Sequence, residues 1–100
     1  MAQNPAPHAR VGADALARLV ADVRTGRAEW SHPHTITMAT DDLVRIAEGM
    51  ATALQQMAAA LGQIGQRGPH TDQTIGALHQ AGQSATTAVR HLRRARQTMH

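Results

Sequence analysis

Two runs of mostly apolar residues at a seven-residue period, separated by one helix-breaking segment, set the strongest limit on what this chain can fold into. In the first run Leu43, Ala47, Met50, Leu54, Met57, Leu61 and Ile64 recur at alternating steps of four and three. In the second, Ile75, Leu78, Gly82, Ala85, Val89, Leu92, Arg96 and Met99 recur at steps of three and four. Such spacing lines residues along one stripe of an α-helix. Between the runs stands Gly65-Gln66-Arg67-Gly68-Pro69-His70-Thr71-Asp72. Its glycines can take positive φ, its proline cannot continue a helix, and Thr71 or Asp72 can cap the next one. The pattern predicts an all-α protein built on a long antiparallel hairpin, with helices at about 41–65 and 72–98. A turn there sets Ile64 beside Ile75, Leu61 beside Leu78, Met57 beside Gly82, Leu54 beside Ala85, Met50 beside Val89 and Ala47 beside Leu92. In several of these layers a large side chain meets a small one, which is how facing helices fill space without voids.

Composition shows how little each layer can contribute. Of the 100 residues, 20 are Ala, Trp30 is the one aromatic, and Phe, Tyr and Lys are absent. Alanine favours the helix more than any other residue but buries little area, so close helix approach or a partner chain must supply the remaining stability. The bias towards Ala, Arg, Gly and Pro also fits translation of GC-rich DNA, so the use of Arg in place of Lys implies no function. With no cysteine, disulfides and thiolate metal sites are excluded.

The N-terminal residues have neither a basic start nor an apolar run, so no signal peptide is expected, and residues 1–12 read as a disordered tail. From Ala13 to Thr25 a short helix is expected, with Leu16, Leu19, Val20 and Val23 on one face and Gly26 placed to end it in the left-handed region. Too short to be stable alone, it is expected to lie against the hairpin as a third helix, giving one helical-bundle domain over residues 13–100. Residues 27–40 break the pattern. His32-Pro33-His34 favours an extended path, and Thr35-Ile36-Thr37-Met38 alternates, so an extended crossover is expected there rather than a lone strand. Trp30, Ile36 and Met38 would cover an end or flank of the bundle, with Trp30 read as a plug more readily than as a recognition anchor. Thr40-Asp41-Asp42 is read as the start of the long helix, its hydroxyl or carboxylates placed to cap and to meet the helix dipole.

Gln55, Gln56, Gln63 and Gln66 interrupt the uncharged stretch between Glu48 and Arg67, so no membrane span is expected and the chain is taken as cytoplasmic. The net charge is +3, and no acid follows Asp72. Arg90, Arg93, Arg94 and Arg96 therefore form a cationic cluster at the end of the last helix, suited to a polyanion. The antiparallel register also brings Asp41, Asp42 and Glu48 alongside it, and internal pairing is the preferred reading. The seven histidines lack the helical spacing of a metal site, and no metal or other cofactor is expected. No nucleophile with an attendant base stands out, so no enzyme activity and no small-molecule substrate are expected. Trp30 is followed by Ser31-His32 and not by the x-Gly of WXG-type hairpins, so no family is assigned.

The long helix carries Val44, Ile46, Ala51, Ala53, Ala58 and Ala60 beyond its stripe, more apolar surface than one partner helix covers. The expected function is thus a non-enzymatic interaction or assembly module that self-associates, with a dimer favoured. Its expected core or oligomer interface is Leu43, Ile46, Met50, Leu54, Met57, Leu61, Ile64, Ile75, Leu78, Val89 and Leu92. The alternative is a small basic accessory or regulatory protein that binds nucleic acid, or an acidic protein, through Arg90, Arg93, Arg94 and Arg96.

Overall fold

The computed structural model describes residues 4–26, 30, 32–64 and 68–99. Three α-helices follow one another: α1 (Ala6–Arg24), α2 (Pro33–Ile64) and α3 (Pro69–Gln97). They fall into two compact units, Met1–His32 and Pro33–His100. The fold is all-α, with α2 and α3 packed against each other as an antiparallel hairpin.

In the first unit, α1 starts at Ala6 and not near Ala13, taking in residues expected to be a disordered tail. Asn4 Oδ1 accepts a hydrogen bond from the Ala6 N–H at 3.0 Å, and Pro7 stands in the first turn, where its missing N–H costs nothing. The far end is as expected. Gly26 has φ 78°, and its N–H donates to the Val23 carbonyl. No residue of α1 is buried, and Leu19 and Val23 on its apolar face are half-buried. Trp30 is half-exposed.

From Pro33 onward the expected crossover gives way to helix, while Arg27, Ala28, Glu29 and Ser31 lie outside the described residues. Residues 33–40 form the first two turns of α2, so Thr35–Met38 is neither extended nor a strand. Pro33 opens the helix with a φ already suited to it. The Thr37 hydroxyl donates to the Pro33 carbonyl at 3.0 Å and the Thr40 hydroxyl to the Ile36 carbonyl at 2.8 Å. Threonines expected to break or cap the helix instead bond back along it. Asp41 and Asp42 accordingly sit inside α2. At the loop, Gly65, Gln66 and Arg67 lie outside the described residues. Gly68 is the extended N-cap of α3 and Pro69 its first residue, so the cap falls earlier than the expected Thr71 or Asp72. Asp72 supplies the acid of the first turn.

The α3 stripe faces α2 as read from sequence. Gly82, Ala85 and Val89 are buried, and Ile75, Leu78, Leu92, Arg96 and Met99 are half-buried. The α2 stripe differs. Its buried residues are Thr40, Val44, Ala47, Ala51 and Ala58, with Leu54 and Leu61 half-buried between them. These also repeat every seven residues, but Val44, Ala51 and Ala58 take the places expected for Leu43, Met50 and Met57. At 100° per residue this is a rotation of α2 by about 50° about its axis. The pairing also slips by about one turn relative to the expected one. Val44, Ala47 and Val89 form one buried cluster with Leu92 packed on it, and Thr37 meets Met99 with hydroxyl and sulfur 3.6 Å apart. Gly82 lies against Leu54 and Ala51, not Met57.

The physical reason is backbone approach. A Cβ built on Gly82 would lie 3.6 Å from Gln55 Cγ, 3.7 Å from the Ala51 carbonyl oxygen and 3.8 Å from Leu54 Cβ. Helices this close have room between them for Ala and Val but not for Met. The hairpin core is correspondingly thin, and among the described residues no large side chain is fully buried.

The distances at Gly82 are ordinary van der Waals contacts, so one methyl fits and a larger group does not. Gly82→Ala is expected to raise stability by about 0.5–1 kcal/mol through helix propensity. Gly82→Leu is expected to lower it by about 1–3 kcal/mol through overpacking. Urea unfolding followed by helical circular dichroism measures both, and equal effects would contradict the close approach.

Candidate interaction surface

The two sides of the hairpin differ in chemistry, because the residues flanking each buried stripe differ. One side is charged. The Asp41 and Glu48 carboxylates, a seven-residue step apart on α2, face Arg96 and Arg93 on α3. The Arg96 Nε–H donates to Asp41 Oδ1 at 2.8 Å, and an Arg93 guanidinium N–H donates to Glu48 Oε2. A shallow groove on this side is lined by Glu48, Thr52, Gln55, Thr86 and Arg93. Arg90 and Arg94 stand with Thr86, Val89, Arg93 and Gln97 around a second depression on α3. Of the four arginines singled out by sequence, two are therefore engaged by α2 carboxylates. Arg45 pairs more loosely with Asp42 in the next turn back, at 3.8 Å.

The opposite side is apolar. Turning round α2 away from Asp41 and Glu48, the next positions after the buried stripe are Ile36, Leu43, Met50, Met57 and Ile64, each seven residues from the last. Ala39, Ile46, Ala53 and Ala60 interleave them, completing a second heptad stripe over the length of the helix. Ile36 is 37%, Ile46 50%, Met50 50%, Met57 52% and Ile64 82% exposed. On α3, the corresponding side carries Ala77, Ala81, Ser84, Ala88, His91 and Ala95, all exposed. No Asp, Glu, Lys or Arg occurs at any of these positions.

The residues expected at a core or oligomer interface thus divide in three. Val89 is buried in the hairpin. Leu54, Leu61, Ile75, Leu78 and Leu92 are half-buried within the facing stripes, Leu43 is half-buried at the margin, and Ile46, Met50, Met57 and Ile64 stand outside. The sequence shows an apolar surface on α2 too wide for one partner, and the structure divides it into two heptad stripes. The signal was present in the uninterrupted seven-residue series from Ile36 to Ile64, hidden by the expectation of a crossover before Thr40.

Among the described residues no three His, Cys, Asp or Glu side chains lie close enough together to hold a metal ion. None of the described helices is long and apolar enough to cross a membrane. Comparison with known proteins finds no matching family model, no similar curated protein and no similar solved structure.

Both cross-helix ion pairs are about half-exposed, which limits what they contribute. Removing the charge with Glu48→Gln or Arg93→Ala is expected to cost at most about 1 kcal/mol at low salt. The cost should shrink in high salt, because exposed pairs are screened. A double-mutant cycle on Glu48 and Arg93 in urea, run at two salt concentrations, measures the coupling; a salt-independent coupling of several kcal/mol would contradict this reading.

Proposed function

We propose that this protein is a non-enzymatic helical assembly module that self-associates through the apolar side of the α2–α3 hairpin. The observation that supports the reading is the second heptad stripe of α2, whose large members are exposed beside a hairpin core with no fully buried large side chain. A two-helix unit with so thin a core needs further burial to be stable. The apolar side can supply it. From Ile36 to Ile64 the stripe is about 40 Å long, and two helices side by side are about 20 Å wide. That gives about 800 Å², the area each partner contributes to an ordinary stable interface. A charge-free surface also meets its own copy without repulsion. Met50 and Met57 at its centre have flexible side chains that adapt to a junction.

A second reading rests on Arg90 and Arg94, which lie one turn apart on the charged side with neither ion pair involving them. In that reading the protein contacts an acidic partner such as nucleic acid. The charged and apolar sides are separable by mutation. Arg90→Glu with Arg94→Glu abolishes polyanion retention in the second reading and leaves self-association untouched in the first.

Light scattering across a concentration series is expected to give twice the chain mass at micromolar concentration, in low and high salt alike. Met50→Glu and Met57→Glu each place an unpartnered carboxylate in the interface, at a cost of several kcal/mol. The dissociation constant should rise about a hundredfold or more for each. A folded single chain at high micromolar concentration would overturn the proposal.

A further inference from the structure

The apolar side has a relief as well as a chemistry, and the relief selects one way for two copies to meet. On α2 the side chains of Leu43, Met50 and Met57 form a ridge along the helix. On α3 the same side presents Ala77, Ala81, Ser84 and Ala88, a shelf of small residues running parallel to the ridge beside Met50 and Met57, with the larger His91 and then Ala95 beyond it at the level of Leu43. The hairpin register fixes which parts stand at equal height. With Thr37 against Met99, Asp41 against Arg96 and Gly82 against Leu54 and Gln55, Met50 is level with the gap between Ser84 and Ala88, and Met57 with the gap between Ala77 and Ala81.

Two twofold arrangements bring the apolar sides of two hairpins together. With the twofold axis perpendicular to the helices, α2 lies on α2 and α3 on α3, so ridge meets ridge and the two shelves are held apart over a void. With the axis parallel to the helices, each ridge drops onto the partner's shelf at unchanged height. Resting on the self-association proposed above, we infer that the occupant of this face is a second copy in the parallel-axis arrangement, with α2 of each chain seated antiparallel on α3 of the other. Met50 then fits between Ser84 and Ala88 of the partner subunit, and Met57 between Ala77 and Ala81 of the partner subunit. Small residues under large ones fill the interface to the density of a protein interior, and every adjacent pair in the resulting four-helix bundle is antiparallel. The two α2 helices lie on the bundle diagonal and do not touch.

The absence of cysteine makes engineered thiols unique, and all four positions used are exposed in the hairpin. The full-length chain is made as single variants Met50→Cys, Ser84→Cys, Met57→Cys and Ala81→Cys. Pairs of variants are mixed, equilibrated in a glutathione redox buffer, and resolved without reductant. A disulfide needs Cα atoms within about 7 Å, so only helices in direct contact are joined. The expected products are mixed disulfides between Met50→Cys and Ser84→Cys and between Met57→Cys and Ala81→Cys, with at least tenfold less disulfide from Met50→Cys alone. Using two pairs guards against one variant failing to fold. A dominant Met50→Cys homodisulfide places α2 on α2 and overturns the arrangement while self-association stands. A dimer by light scattering in which neither mixed pair forms overturns it equally. A parent chain that stays monomeric overturns both the arrangement and the reading beneath it.

Discussion

The close approach of α2 and α3 is the constraint on which the other features depend. It is made possible by Ala47, Ala51 and Ala58 on one helix and Gly82 and Ala85 on the other, with Val44 and Val89 as the largest fully inserted residues. Small residues bring backbones together and gain dispersion contacts, but each removes little apolar area from water. The leucines of both helices are left only half-buried, and the isoleucines and methionines of α2 are turned outside. The thin core and the exposed ridge therefore have one cause. A hairpin that buried Met50 and Met57 between its helices would need wider spacing, and Gly82 and Ala85 would then face a gap.

Charge is sorted by the same geometry. Every acid of the hairpin precedes α3 or lies in its first turn, and the arginines of α3 are gathered in its last two turns. Antiparallel pairing sets Asp41 and Glu48 against Arg96 and Arg93 near the open end, where the loop connection exerts least control. Exposed pairs of this kind contribute little net stability. Their value is in specificity, since turning α2 to bury its ridge would move Asp41 and Glu48 away from the arginines. The ion pairs and the alanine seam thus agree on one rotation of α2.

Most of the architecture could be read from periodicity. The α3 stripe, the hairpin loop, the antiparallel sense and the left-handed Gly26 followed from spacing and from residues with one dominant backbone preference. Three features of α2 and its pairing could not be read so directly. The start of α2 was obscured because Pro33 and the threonines have two uses, opening or interrupting a helix, and the hydroxyl bonds of Thr37 and Thr40 that decide between them depend on the helix already existing. The rotation of α2 runs against hydrophobicity, because Leu43, Met50 and Met57 form a larger apolar stripe than Val44, Ala51 and Ala58, yet α3 covers the smaller one. Close packing selects by volume as well as by hydrophobicity, and a single helix read alone gives no sign of the volume opposite. The register depends on both of these features. Pairing Thr37 with Met99 requires the extra turns before Thr40, whereas a helix starting at Asp41 would have left the end of α3 unopposed.

The candidate surface was legible as excess and not as pattern. An apolar arc too wide for one partner is visible in the sequence, but its division into a buried stripe and an outer one appears only when α3 is in place. The two stripes are centred about 100° apart round α2, taking 100° per residue. In a four-helix bundle each helix touches two neighbours nearly at right angles, so this spacing suits a helix with α3 on one flank and a second partner on the other. From Ala77 to Ala88 the outer positions of α3 are small beside the large Met50 and Met57 of α2, and this difference in size is what gives the face its relief. A surface that were uniformly large or uniformly small would bind its copy in either orientation. In the proposed dimer, alternation of a large helix with a small one makes the orientation a consequence of the sequence.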